Sequence, residues 1–103
     1  MLFRSALEDG VADVRWNAAI ALARRRDPAA APVLLAMMDR AELAKVPGLT
    51  DEQRSDAMVQ AVEAAGLVRD PRLDAAMRGL QDDPDLKVRE KAHAVLAEAA
   101  AIR

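Results

Sequence analysis

The chain has few side chains capable of chemistry, and their spacing argues against most reactions. His93 is the single histidine. A protein zinc site draws its ligands from Cys, His and carboxylates together, and the chain has no cysteine and no second histidine. His93 is therefore expected to be a surface or partly buried helical residue. Asp82-Asp83-Pro84-Asp85 is an acidic cluster, but it lacks the ligand spacing of a calcium loop. Carboxylates at the start of a helix are accounted for by its macrodipole, and that reading is preferred here and for Asp13 and Asp27. Arg24-Arg25-Arg26 stands at a helix end, where cations are favourable for the same reason. The hydroxyls are Ser5, Thr50 and Ser55. None neighbours His93 in sequence, so no triad-like set is formed, and no glycine-rich phosphate loop is present. No catalytic residue, metal or cofactor is expected. What remains is the chemistry of surfaces.

Those surfaces must be held by helices. A stub of about Leu2 to Glu8 is broken by Asp9-Gly10. A second segment, about Val11 to Arg26, places Val14, Ala18, Ala21 and Leu22 on one face at helical spacing. Asp27-Pro28 ends it, because the residue before proline is pushed out of the α region. A third segment runs from about Ala29 to Arg40, with Pro32 tolerable in its first turn and Val33, Leu34, Met37 and Met38 as its buried stripe. Residues 41–50 interrupt the pattern, with Pro47-Gly48 as a turn. Thr50 with Gln53 reads as a capping box for a fourth helix reaching about Arg69. A fifth helix starts at Pro71 and ends near Asp82. A last one starts at Pro84 and continues toward the C-terminus.

Composition agrees with an all-helical chain. Alanine supplies 24 of 103 residues, and the aromatics are only Phe3 and Trp16. Alanine is the best helix former, and small side chains let helices approach closely. There is no Tyr, one Thr and no period-two alternation, so strands are not expected. Fifteen basic and seventeen acidic residues give a net charge of −2, which is no footprint for nucleic acid or anionic membrane. No apolar run approaches the ~18–20 residues needed to span a bilayer. The first residues lack the apolar core of a signal peptide. A cytoplasmic location is the expectation.

The sequence repeats internally. Val14-Arg15 through Ala23 matches Val88-Arg89 through Ala97 at an offset of 74, and Asp27-Pro28 matches Asp70-Pro71 at an offset of 43. The offset of 43 also sets Ala18 on Ala61, Ala21 on Ala64 and Leu22 on Ala65. The difference of 31 suits one two-helix unit, and the 41–50 insertion explains the longer spacing. Such periods mean a stacked solenoid.

These residues resemble HEAT repeats, in particular the short bacterial kind also found in phycobilisome lyase subunits. A HEAT unit is two antiparallel helices. The first often carries a proline, the turn an aspartate, and the second helix opens with Val-Arg. Asp9 precedes Val14-Arg15 by five and six residues, and Asp83 precedes Val88-Arg89 by the same five and six. Pro32 and Asp39 supply the proline and turn aspartate of the middle unit. That unit departs from the pattern, with Ala57-Met58 in place of Val-Arg, so a continuous Asp–Arg hydrogen-bond ladder is not expected. The resemblance implies an all-α, α–α superhelix of about two and a half helix-pair repeats, one HEAT-like domain over residues 1–103. The opening helix is short, and Leu2-Phe3-Arg4-Ser5 can be encoded by the closing bases of a common sequencing adapter. Residues 1–5 are expected to be an assembly scar and the domain the C-terminal part of a longer array.

In such stacks the second helices line the concave face. With the core at 14, 18, 21 and 22, the outward positions are Trp16, Asn17, Ile20 and Arg24. Their counterparts are Val59, Gln60, Glu63 and Leu67 in the middle unit and Glu90 and Lys91 in the last. This set is expected to bind another protein through apolar anchors with a charged rim, Trp16 foremost because Trp is enriched at hot spots. The expected function is a non-catalytic scaffold. A regulatory or chaperone-like subunit of an enzyme, of the bilin-lyase-partner type, is the alternative. Nucleic-acid binding is less favoured, since the inner stripe carries mixed charge. The chain is expected to be a monomer, with dimerisation through an uncapped apolar N-terminal end as the other outcome.

Overall fold

The computed structural model describes residues 2–101, with side chains from residue 4 onward. Met1, the first residue of the expected scar, lies outside the described residues. All regular structure among the described residues is helical. The elements are α1 (Leu2–Ala6), α2 (Ala12–Arg24), a 3-10 turn (Pro28–Ala30), α3 (Ala31–Met37), α4 (Arg40–Leu43), α5 (Asp51–Ala65), α6 (Pro71–Leu80) and α7 (Leu86–Ala101).

Aspartates and the lone threonine start the 3-10 turn, α4, α5, α6 and α7. Thr50 Oγ1 accepts from the Gln53 N–H at 3.1 Å, and Gln53 Oε1 accepts from the Thr50 N–H at 2.9 Å, which completes the expected capping box of α5. Asp70 accepts from the Arg72 N–H at 2.8 Å, with Pro71 at the first helical position where no N–H is needed. Asp27 and Asp39 make the same bond to the N–H two residues on, Ala29 and Ala41. The Asp39 cap corrects one expectation. The third segment is not one helix to Arg40: a 3-10 turn opens it, α3 stops at Met37, and Asp39 starts the short α4 inside the presumed insertion. The fourth helix likewise ends at Ala65, and 66–70 forms the turn into α6.

The helices lie in two layers. α5 packs between α2 and α7, and α3 and α6 cover them from one side, α3 against α2 and α5 and α6 mainly against α7. The smallest dimension of the fold is 16 Å. Two layers of axes 8–10 Å apart, each with a Cα radius near 2.3 Å, span about 13–15 Å. The interior between them holds Leu22, Leu34, Met37, Leu43, Met58, Leu73 and Met77, filled in by alanines such as Ala19, Ala23, Ala30, Ala31 and Ala61.

The buried stripe of α2 is rotated from the expected one. Ala18, Ala19, Leu22 and Ala23 are buried, while Ala21 is half-buried and Val14 is 38% exposed. The helix is wedged between α3 and α5, so its covered flank turns toward positions 19 and 23. The counterpart of Val14, Val88, is fully buried on α7, the helix that α5 covers most extensively.

Close approach of α5 and α7 depends on Gly66. A Cβ added there would stand 2.8 Å from Val95 Cγ1, a distance real Cβ atoms do not tolerate. Gly66→Ala should lower stability by about 1–3 kcal/mol, the usual penalty for overpacking, read from urea unfolding. In a Val95→Ala background the loss should largely vanish, and equal losses in both backgrounds would reject this account.

Candidate functional site

Two turns share the Asp…Val-Arg pattern, and they share their bonding. Arg15 Nη1 donates to the Asp9 carbonyl at 2.8 Å, and Arg89 Nη1 donates to the Asp83 carbonyl at 2.9 Å. Asp9 Oδ1 accepts from the Val11 N–H at 2.8 Å, and Asp83 Oδ2 from the Asp85 N–H at 2.9 Å. Each arginine therefore clamps its own turn.

The acidic cluster at 82–85 is a structural clasp. Arg40 grips Asp83 with two parallel bonds, Nε to Oδ1 at 2.9 Å and Nη2 to Oδ2 at 2.6 Å, and the Asp83 side chain is only 5% exposed. Ser55 Oγ on α5 donates to Asp85 Oδ2 at 2.8 Å, while Asp85 Oδ1 caps α7 by accepting from the N–H groups of Lys87 and Val88. The turn before α7 is thereby tied to α4 and α5. Burial pushes the Asp83 carboxyl up, but the Arg40 guanidinium and the Asp85 N–H outweigh burial and hold it below the usual carboxylate range. Asp85 is held low chiefly by Ser55. No group of three or more His, Cys, Asp or Glu among the described residues is arranged to hold a metal ion. His93 is exposed, its Nδ1 3.1 Å from Gln81 Nε2.

An open groove of about 740 Å³ lies between α2 and α5. Asn17, Ile20, Ala21 and Arg24 line one wall; Gln60, Glu63, Ala64 and Leu67 line the other. These form four pairs, Asn17 with Gln60, Ile20 with Glu63, Ala21 with Ala64 and Arg24 with Leu67, each 43 residues apart. The two helices therefore run parallel and present the same face. Ile20, Ala21, Ala64 and Leu67 make a half-buried to buried apolar floor, and Asn17, Arg24, Gln60 and Glu63 an exposed polar rim. Between α5 and α7, Val95 stands against Gly66, and Lys91 and Lys87 reach Glu63 and Asp56 at 3.8 Å.

Of the ten residues selected from sequence, Asn17, Ile20, Arg24, Gln60, Glu63 and Leu67 thus meet in one groove. Lys91 adjoins it through Glu63. Glu90 is exposed on α7 away from the lining, and Val59 packs on the core. Trp16 is half-buried against the core and lines a separate depression of about 180 Å³ with Pro32, Val33, Leu43 and Val46. A position one residue before Asn17 is turned about 100° around the helix, enough to carry Trp16 to the α3–α4 side. Ala21 and Ala64 line the groove although the pattern assigned Ala21 to the core; their pairing at the repeat offset was the available signal. No helix is long and apolar enough to cross a membrane among the described residues. Comparison with protein-family models, curated proteins and solved structures gives no match for this chain.

The clasp has a pH signature. Asp83 and Asp85 have folded values below their unfolded ones, so the stability they contribute is present above about pH 4. It is lost as pH falls through the depressed values. The thermal midpoint should hold from neutral pH to about 4 and drop below. Asp83→Asn should cost about 2 kcal/mol at pH 7, since it leaves the Arg40 charge unpaired, and should flatten the acid limb. An unchanged acid limb would remove Asp83 from this role.

Proposed function

We propose that the chain is a HEAT-type helical-repeat scaffold that performs no reaction of its own and binds a segment of another protein in the groove between α2 and α5. The observation that carries this reading is the lining itself. Eight residues from successive second helices of the repeat meet as four pairs at the repeat offset. A stack of like units generates such a continuous inner surface without further design. The two-layer arrangement of α2, α5 and α7 against α3 and α6 supports it, as does the matched bonding of the Asp9 and Asp83 turns. An apolar floor under a polar rim is the layout of a specific protein-binding surface.

The groove is open at its top and about two helical turns long, from position 17 to position 24. It suits a short segment better than a folded domain. Peptide display selected on the immobilised chain is the direct test. Selected peptides should bind in the micromolar range, typical of a small interface, and lose at least tenfold in affinity for Asn17→Trp/Gln60→Trp. That variant fills the groove from its exposed rim and leaves the core untouched. Peptides that bind the filled variant equally well would move the function off this surface, and a selection that yields no binder would reject the reading.

A further inference from the structure

We infer that the segment held in this groove carries carboxylates directly beside its apolar residues, and that these seat on Arg24 and Arg26 at the C-terminal end of α2. The inference rests on the reading of the groove as a protein-binding site and names the chemistry of the occupant.

Arg24 and Arg26 stand at this end with donors that the local structure does not use up. A cation at a helix C-terminus ordinarily compensates unsatisfied carbonyls. Here the backbone already satisfies the Leu22 and Ala23 carbonyls. The Arg25 and Asp27 N–H groups donate to the Leu22 carbonyl, both at 3.0 Å, and the Arg26 N–H to the Ala23 carbonyl at 2.8 Å, a complete Schellman turn. The carboxylates that would neutralise the arginines from nearby are occupied as well. Asp27 is gripped by Arg4, whose Nη2 lies 2.8 Å from Oδ2, and Asp70 is gripped by Arg72 at 2.9 Å. The Ala29 N–H and Arg4 hold Asp27 below the usual carboxylate range, and Arg72 does the same for Asp70. Glu63, on the far wall, faces Lys91. Among the described residues Arg24 then has no carboxylate partner, although it lines the groove and is exposed.

Arg26 supplies an independent observation. It occupies the left-handed position of the Schellman turn, with φ of 58°. Glycine is the residue that takes this conformation without crowding, and a side chain there is disfavoured. Strained positions of this kind cluster at functional sites. The Arg26 side chain crosses from α2 to the opposite wall, with Nη1 3.5 Å from the Leu67 carbonyl. Two guanidinium groups therefore close one end of an apolar floor, each with donors to spare for a carboxylate.

The test uses three fluorescein-labelled peptides on the full chain. Each has leucines three and four residues apart, followed by Glu-Glu, Gln-Gln or Lys-Lys. The Glu-Glu peptide should bind about tenfold tighter than the Gln-Gln peptide at low salt, and the difference should shrink as salt is raised. It should disappear in Arg24→Gln/Arg26→Gly, a variant that removes both charges while glycine accepts the turn. Equal binding of the Gln-Gln or Lys-Lys peptide, a preference that survives in the double variant, or no binding of any of the three overturns the inference. Failure of the groove itself is read separately: peptides selected by display would then ignore the Trp-filled variant whatever their charge.

Discussion

A buried carboxylate ties the turn before α7 to the start of α4. Asp83 sits in the turn before α7, yet its partner is Arg40, the first residue of α4, on the other side of α5 and α6 in sequence. The pair is bidentate, and Asp83 also accepts from its own turn through the Asp85 N–H. A buried ion pair of this kind contributes little net stability relative to an apolar replacement, because desolvation opposes the attraction. Its geometry is demanding, however, and only one docking of the two turns satisfies it. The neighbouring Ser55–Asp85 bond adds a second point on α5. Together they set where α7 begins relative to α4 and α5, and the alanine-rich interior then closes around that register.

Small residues determine how tightly each pair of helices closes. α5 presents Ala57, Ala61, Ala64, Ala65 and then Gly66, and Val95 of α7 fits against the glycine. On the other side α5 meets α2 across a floor that includes the larger side chains Ile20 and Leu67, with Arg24 on its rim. One junction is therefore filled and the other is open. The groove lies at the junction that no such contact closes.

The aspartates show how one residue type serves several roles through context. Asp9, Asp27, Asp39, Asp70, Asp83 and Asp85 all accept from the N–H two residues on, the local bond that favours Asp at turns and helix starts. What distinguishes three of them is what comes from elsewhere, Arg4 to Asp27, Arg40 to Asp83 and Ser55 to Asp85, while Asp70 also pairs with the side chain of its own Arg72. Arg24 and Arg26 stand out against this background because Asp27 and Asp70 are already engaged.

The helical class and several helix starts were legible in the sequence, because caps, prolines and the spacing of apolar residues act over a few residues. Thr50 with Gln53 and Asp70 with Pro71 could be read directly for that reason. So could the six groove residues, which follow from one helix face repeated 43 residues later. The side of α2 that faces the core was not determined in the same way. Alanine lies all around that helix, so the pattern leaves the buried face free to rotate, and packing between α3 and α5 decided it. That rotation exposed Val14 and turned Trp16 away from the groove. The Arg40–Asp83 pair was also beyond local reading, since the two residues are 43 apart and meet only when α4 and the α6–α7 turn come together. The sequence by itself determined what each segment becomes; the tertiary structure alone decided which faces meet, because burial is a property of neighbours that the local pattern does not contain.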